Sequence, residues 1–483
     1  MNQHGFTLRL KPLEFMTEEQ VADIHEATLR VLDETGVRMD SDWALDFLAS
    51  HGCAVERGAH RVRFPPALVE ECLKLVPSSF EVCARDPRNN LIYGGNTLHF
   101  SHTSGMETID LDTFEPRPPS RSEFVDCARV LDALPTVSCL GCYPYYGFEG
   151  VPPVMAIPEG VALLLRHSTK HQSACYSQGC EVFNIQMAQA VGTEISGAVT
   201  SSAPLTWNGD AVSVARRMVE VGFPILTVDG CIMGGTGPAT PAGSVVVSNA
   251  EHLSMIVLTQ LLRPGQRILV GHFALSMNMS NGAPAFGQIE SSINNAIWNQ
   301  MWRHYKVPRG NGSPGYVSAK TIDYQAGYEK AMAGLASALS GANHLLLHFG
   351  VAAEMTAHPV QAVLDDDIAA MIGRFISGEQ VDDETIALEV IQQVGPIPGH
   401  YLDTAHTLKW WRREQYMPRA ADRLSYGQWL AAGKKTALDY ARARLEQILD
   451  SHQVQPLSPA QDDDLDRILA DARHYYREKG LMA

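Results

Sequence analysis

From residue 98 onward, short apolar runs alternate with stretches whose apolar positions recur at helical spacing. The runs predict strands at 98–103, 137–142, 171–177, 194–200, 224–229, 267–273, 307–311 and 343–349. The periodic stretches predict helices at 122–134, 158–166, 181–191, 210–221, 242–262, 288–305 and 323–339. Strands separated by helices make parallel sheets, and eight such strands are the number that closes a (β/α)8 TIM barrel. A doubly wound open sheet is the rival, but it usually carries a Gly-rich phosphate turn after its first strand. Here Gly94-Gly95 precedes that strand instead. The fold class expected is therefore α/β, a TIM barrel over 97–350.

The flanks read differently. Thr17-Glu18-Glu19-Gln20 is a capping box, Val21, Ile24, Val31 and Leu32 follow at helical spacing, and Gly36 stops the helix. Further helices fit 43–50 and 66–75, the second starting at a proline. Residues 1–96 are thus a mainly helical N-terminal extension. Beyond Phe349, amphipathic stretches at 363–376 and 383–394 begin a helical C-terminal extension, 351–483, and the run Asp365-Asp366-Asp367 reads as a solvated helix start.

Composition narrows the function. The chain has 483 residues, 45% hydrophobic and 19% charged, so it can bury a large core. Its formal charge of −16 argues against a nucleic-acid partner, whose phosphates would be repelled. The N-terminus shows no basic region followed by an apolar run, and the most apolar stretch, 256–262, is too short to span a bilayer. With nine scattered cysteines, these features predict a cytoplasmic protein with reduced thiols and no membrane contact. Cys139 and Cys142 have redox spacing, yet residues three apart in a strand point to opposite faces.

On a barrel, residues at the carboxyl ends of the strands share one mouth. Those ends supply Tyr143, Tyr145, Tyr146 and Phe148, then Cys175, Trp207 and Asp229, and then His272, Phe273, Asn311, His348 and Phe349. The ring is aromatic, with Asp229 its one carboxylate. A glycosidase would want two acids there, a metallohydrolase a His/Asp cluster, and a Schiff-base enzyme a lysine inside a strand. Aromatic faces instead suit a quaternary ammonium, each contributing roughly 0.5–2 kcal/mol. Tyr143, Tyr146, Trp207 and Phe349 are the cage candidates. Asp229, His272, Asn311 and His348 are the polar candidates for substrate binding, with His348 also the catalytic candidate.

Several stretches carry a family likeness. They are Gly282-Ala283-Pro284-Ala285-Phe286-Gly287, Asp323-Tyr324-Gln325-Ala326-Gly327-Tyr328-Glu329-Lys330-Ala331, Asn249-Ala250-Glu251 with Pro264-Gly265, and Gly399-His400-Tyr401 with His406-Thr407-Leu408. The chain resembles the trimethylamine methyltransferase superfamily, in its branch without pyrrolysine, over roughly residues 20 to 450. The resemblance implies a (β/α)8 barrel and methyl transfer from a quaternary amine, glycine betaine or a related betaine, to cobalt(I) of a corrinoid. That corrinoid (a cobalamin) would sit on a cognate corrinoid protein docked at the barrel mouth. A quaternary nitrogen leaves as a neutral amine, so no protein-bound metal is expected. The rivals are a metal-dependent hydrolase or lyase on the same barrel and a non-catalytic quaternary-amine binding protein. The sequence leaves open whether the chain is a homo-oligomer.

Overall fold

The computed structural model describes residues 5–482. The N-terminal stretch read above for a secretory signal begins outside them.

Eight parallel strands form the centre: β1 Thr97–His102, β2 Cys139–Leu140, β3 His171–Ala174, β4 Ile195–Thr200, β5 Ile225–Asp229, β6 Ile268–His272, β7 Arg309–Asn311 and β8 His344–His348. A short antiparallel strand, Phe6–Thr7, pairs with β1 and makes a nine-stranded sheet. From β1 the order runs β8, β7, β6, β5, β4, β3, β2, and the sheet curls. Its last parallel strand returns beside its first: Phe100 and Val137 form a parallel bridge, and the Ser138 N–H donates to the Phe100 carbonyl at 2.8 Å.

A helix follows each strand: α1 Arg121–Ala133, α2 Ala156–His167, α3 Glu181–Ala190, α4 Gly209–Val221, α5 Pro241–Leu262, α6 Ile289–His304, α7 Tyr324–Leu339 and α8 Pro359–Ile376. Local chemistry sets their starts. Ser120 and Glu123 form a capping box on α1, and Asp323 caps α7 by accepting from the N–H groups of Gln325 and Ala326. Helix α5 is 22 residues long, enough to cross a membrane, which corrects the length read from its apolar stretch. It is instead a core helix, with Asn249, Glu251, His252 and Gln260 fully buried.

The residues before β1 form the three expected helices, and they also pack against one end of the curled sheet. The hairpin of Ser79–Val82 and Leu91–Gly94 packs Phe80 and Tyr93 against Cys139, Ala198, Leu226 and Leu269. Tyr93 also meets His99 and His344 edge-on. Both histidines lie near the amino ends of their strands, so the hairpin packs against that end.

The Asp365-Asp366-Asp367 run is not solvated. It lies inside α8, and all three side chains are buried. The Lys330 ammonium donates to Asp365 at 2.8 Å, Thr136 and Arg419 donate to Asp366, and Tyr416 with two backbone N–H groups donates to Asp367. Aspartates on successive positions of a helix point in different directions. Each here found its own partner on a different element.

Candidate functional site

At the carboxyl ends of the strands lies a cavity of about 400 Å3. Every one of the eight strands, or the loop after it, contributes to its lining. Tyr146, Phe273 and Tyr316 are its aromatic lining residues, and Asp229 and Glu354 its acidic ones. His102, His344 and Asn311 add polar groups, and Cys142 and Cys175 add thiols. No lysine or arginine is among the lining residues.

The aromatic side is packed as a unit. Phe273 meets Tyr316 edge-on at 5.2 Å between centroids, and Phe286 backs both from outside the lining. Tyr146 stands edge-on to the buried Tyr143 at 5.2 Å and is 40% exposed, so it marks the mouth. Burial first, then the nearby Glu354 charge, raises the Tyr316 phenol well above the usual range. The Tyr316 oxygen accepts from the Ser104 N–H at 3.4 Å, which leaves its own hydrogen available to a ligand.

The polar side is built on β5 and β6. His272 donates from Nδ1 to Asp229 at 2.8 Å, its Nε2 meets Asn294 Oδ1 at 2.8 Å, and its ring stacks on Trp298. The Phe273 N–H also donates to Asp229 at 3.2 Å. Burial pushes the Asp229 carboxyl up, but the His272 and His252 rings outweigh it and hold it far below the usual range. Asp229 is thus ionised, paired with the histidine that shares its register. The two lining histidines are neutral, burial holding His102 down to about 4 and His344 down to about 3. Nδ1 of His102 donates to the Thr103 carbonyl, so its Nε2 is an acceptor.

Of the eight candidate site residues, Tyr146, Asp229 and Asn311 are among this cavity's lining residues and the other five are not, while Cys175 and Phe273, also read at strand ends, line it. His348 was expected to project into the mouth. A register shift in the β8–β1 pairing between Leu346 and His348 turns it out of the inward series, while His344 and Leu346 face the cavity. His348 is fully buried, with Nε2 2.9 Å from Thr136 Oγ1 and Nδ1 3.1 Å from the Ser101 carbonyl. Trp207 is buried on the outer side, its indole N–H donating to the Glu251 carbonyl and to Ser254. Phe349 packs edge-on to Tyr145 and His102 in the wall, at a φ of 91°. Tyr143 backs Tyr146, and His272 orients Asp229, each from outside the lining.

Sequence reasoning missed Tyr316 and Glu354, because each lies several residues past its strand end, in a loop that folds back. It missed His344 because a strand's first residue also faces inward when the alternation allows. Among the described residues no cluster of three or more His, Cys, Asp or Glu is arranged to hold a metal ion.

Comparison with known proteins gives a consistent answer. The trimethylamine methyltransferase (MTTB) family matches over residues 2–147 and 172–474. The chain is 30% identical over 473 residues to a glycine betaine methyltransferase of Desulfitobacterium hafniense strain Y51, covering 94% of this chain and 96% of that one. It is 28% identical to trimethylamine methyltransferases MttB of D. hafniense DCB-2 and of Methanosarcina barkeri strain Fusaro, covering 91% and 96% of this chain and 90% and 96% of theirs. A crystal structure of a hydroxylamine MtmB complex superposes with a TM-score of 0.51 at 13% identity, over 99% of this chain and 96% of that one, which supports a shared α/β fold. With the family match spanning most of its length, the chain belongs to the trimethylamine methyltransferase family and is a methyltransferase.

Proposed function

We propose that this methyltransferase removes a methyl group from a small quaternary amine, glycine betaine or a near relative, and passes it to cobalt(I) of a corrinoid carried by a separate protein. The observation that carries the reading is the cavity lining: three aromatic rings and two carboxylates with no lysine or arginine. Such a lining stabilises a cation and offers an anion no fixed partner. Tyr146, Phe273 and Tyr316 would hold the trimethylammonium group, each ring contributing roughly 0.5–2 kcal/mol. Asp229 and Glu354 add a negative field around it. A betaine carboxylate then points toward the mouth, within reach of the Tyr146 and Tyr316 hydroxyls.

The reaction asks little else of the chain. The departing nitrogen needs no proton, since it leaves as a neutral amine. The residues fix the C–N bond in line with the mouth and exclude water, which is catalysis by orientation. An acceptor presented from outside suits an open-mouthed cavity at the carboxyl ends of the strands. The corrinoid supplies a nucleophilic cobalt centre there. The bridge between β1 and β2 supports a closed (β/α)8 barrel over 97–350, flanked by the 1–96 and 351–483 extensions, with α8 carrying barrel packing on to Ile376. A cytoplasmic location follows from the need for a reduced corrinoid partner.

The test is turnover with cob(I)alamin as acceptor. Glycine betaine should yield dimethylglycine in step with methylated cobalamin, and thorough chelation should not diminish the rate. Turnover of trimethylamine with every betaine inert would overturn the reading.

A further inference from the structure

Two thiols in the cavity take no part in the chemistry above. Cys142 follows β2 and Cys175 follows β3, and these neighbouring parallel strands bring their sulfurs to 3.0 Å. Cys139, which shares a redox spacing with Cys142 in the sequence, is engaged elsewhere, with the Tyr93 hydroxyl and His344. Topology rather than sequence spacing has made the pair. Both thiols line the cavity, and Cys175 is the more accessible of the two. The remaining cysteines are buried, apart from the exposed Cys83.

The two sulfurs are not equivalent. The Cys142 thiol, then the Tyr143 and Tyr146 hydroxyls, act against burial to bring Cys175 down to about 7. The neighbouring Cys175 and burial push Cys142 well above the usual thiol range. An accessible thiol with thiolate character beside a second thiol is the arrangement of a reversible oxidation site. Closing the bond would bring the sulfurs from 3.0 Å to about 2.05 Å, a shift of about 1 Å.

We propose that Cys175 is a site of reversible oxidation by peroxides, with Cys142 as its resolving thiol. The Cys175 thiolate attacks one peroxide oxygen. An S–O bond forms, the O–O bond breaks, and the displaced hydroxide takes up a proton to leave as water. Cys142 then attacks the Cys175 sulfur: an S–S bond forms, the S–O bond breaks, and the hydroxyl leaves as water with the Cys142 proton. The two thiols lose two electrons in all, and one hydrogen peroxide becomes two waters. The disulfide would lie beneath Tyr146 and alter the cavity that receives the ammonium group. That consequence rests on the function proposed above; the oxidation site does not.

The test uses the full-length protein, reduced and then freed of reductant. It is exposed to limiting hydrogen peroxide, blocked with N-ethylmaleimide and digested without reduction. The expected result is a cross-linked peptide joining Cys142 to Cys175, lighter by two hydrogens and lost on treatment with dithiothreitol, while Cys83 remains blocked as a free thiol. In Cys142→Ser, dimedone should trap a sulfenic acid at Cys175. Cys142 and Cys175 both recovered as maleimide adducts while Cys83 is oxidised would overturn the proposal, as would a Cys175 oxidised directly to sulfinic acid with no cross-link. Calorimetry with glycine betaine on the reduced and oxidised forms reads the consequence separately. A reduced protein that binds no betaine contradicts the function, and the cross-link still decides the oxidation site.

Discussion

Two buried aspartate sites lie against the curled sheet, and their partners separate their roles. Asp365, on α8, is neutralised by the fully buried Lys330 ammonium, which also donates to the Leu347 carbonyl. It further accepts from the Phe349 N–H and Gln361, and so clamps the end of β8 and the left-handed backbone at Phe349. Asp229 shares a face of the sheet with His272, its register partner, and its partners are two histidine rings and a backbone N–H. A carboxylate cancelled by a fixed cation has no field left for a ligand. One held by histidine rings, with no lysine or arginine among the cavity's lining residues, has no permanent cation beside it. The contrast teaches that burial and charge alone do not mark a binding residue: what matters is whether the counter-charge is built into the protein or left for the substrate.

The contrast can be broken by experiment. The largest effect belongs to Asp365→Asn. It leaves the Lys330 ammonium buried and uncompensated, and should cost about 3–5 kcal/mol in urea unfolding. The folded fraction should turn over near the normal rate. A stable but inactive variant would move Asp365 into the site.

Asp229→Asn should show the reverse balance. Its kcat/KM for glycine betaine should fall at least about tenfold, matching a loss of roughly 1.5–3 kcal/mol for a charge-assisted interaction. The fold should survive, because asparagine keeps an acceptor for His272 or the Phe273 N–H. If this variant unfolds readily yet remains fully active when folded, the contrast between the two groups collapses.

A smaller effect, with a pH signature, is expected at His348. Burial holds its ring down to about 3 in the fold, against about 6.5 in an unfolded chain. Above pH 6.5 the ring is neutral in both states and costs nothing. As pH falls from 6.5 toward 3, the unfolded chain takes up a proton that the fold refuses, so stability is lost. His102, His344 and His358 act in the same sense, while Glu251, which burial pushes up to about 8, opposes them between about 4.5 and 8. His348→Gln should lower stability at pH 7 by roughly 1–2 kcal/mol and flatten the acid limb by about one proton. Its turnover should stay near normal. Loss of turnover without a change in the acid limb would return His348 to the mouth.

Much of this architecture was legible in the sequence because period carries it. The eight strands and seven intervening helices fall where the apolar pattern placed them, within a few residues at their ends. The cavity was legible only in part, because strand-end counting assumes unbroken alternation and short loops. The register shift before His348 breaks the first assumption. The loops carrying Tyr316 and Glu354 back to the mouth break the second. Trp207 failed for another reason: its loop pairs with Arg38 and Met39 of the N-terminal extension, a contact no local pattern announces. The aspartate run misled because a charge run is usually solvated, and its partners, Lys330, Thr136, Tyr416 and Arg419, lie at least 30 positions away in the chain.

The central claim is that the cavity recognises the positive charge of a quaternary nitrogen. It is tested most directly by calorimetric titration of glycine betaine against 3,3-dimethylbutanoate, which has the same shape and carboxylate but a neutral carbon in place of nitrogen. Glycine betaine should bind at least about tenfold more tightly, since three ring faces and two carboxylates distinguish the heads by more than about 1.4 kcal/mol. Equal affinity, or preference for the neutral head, would contradict the account.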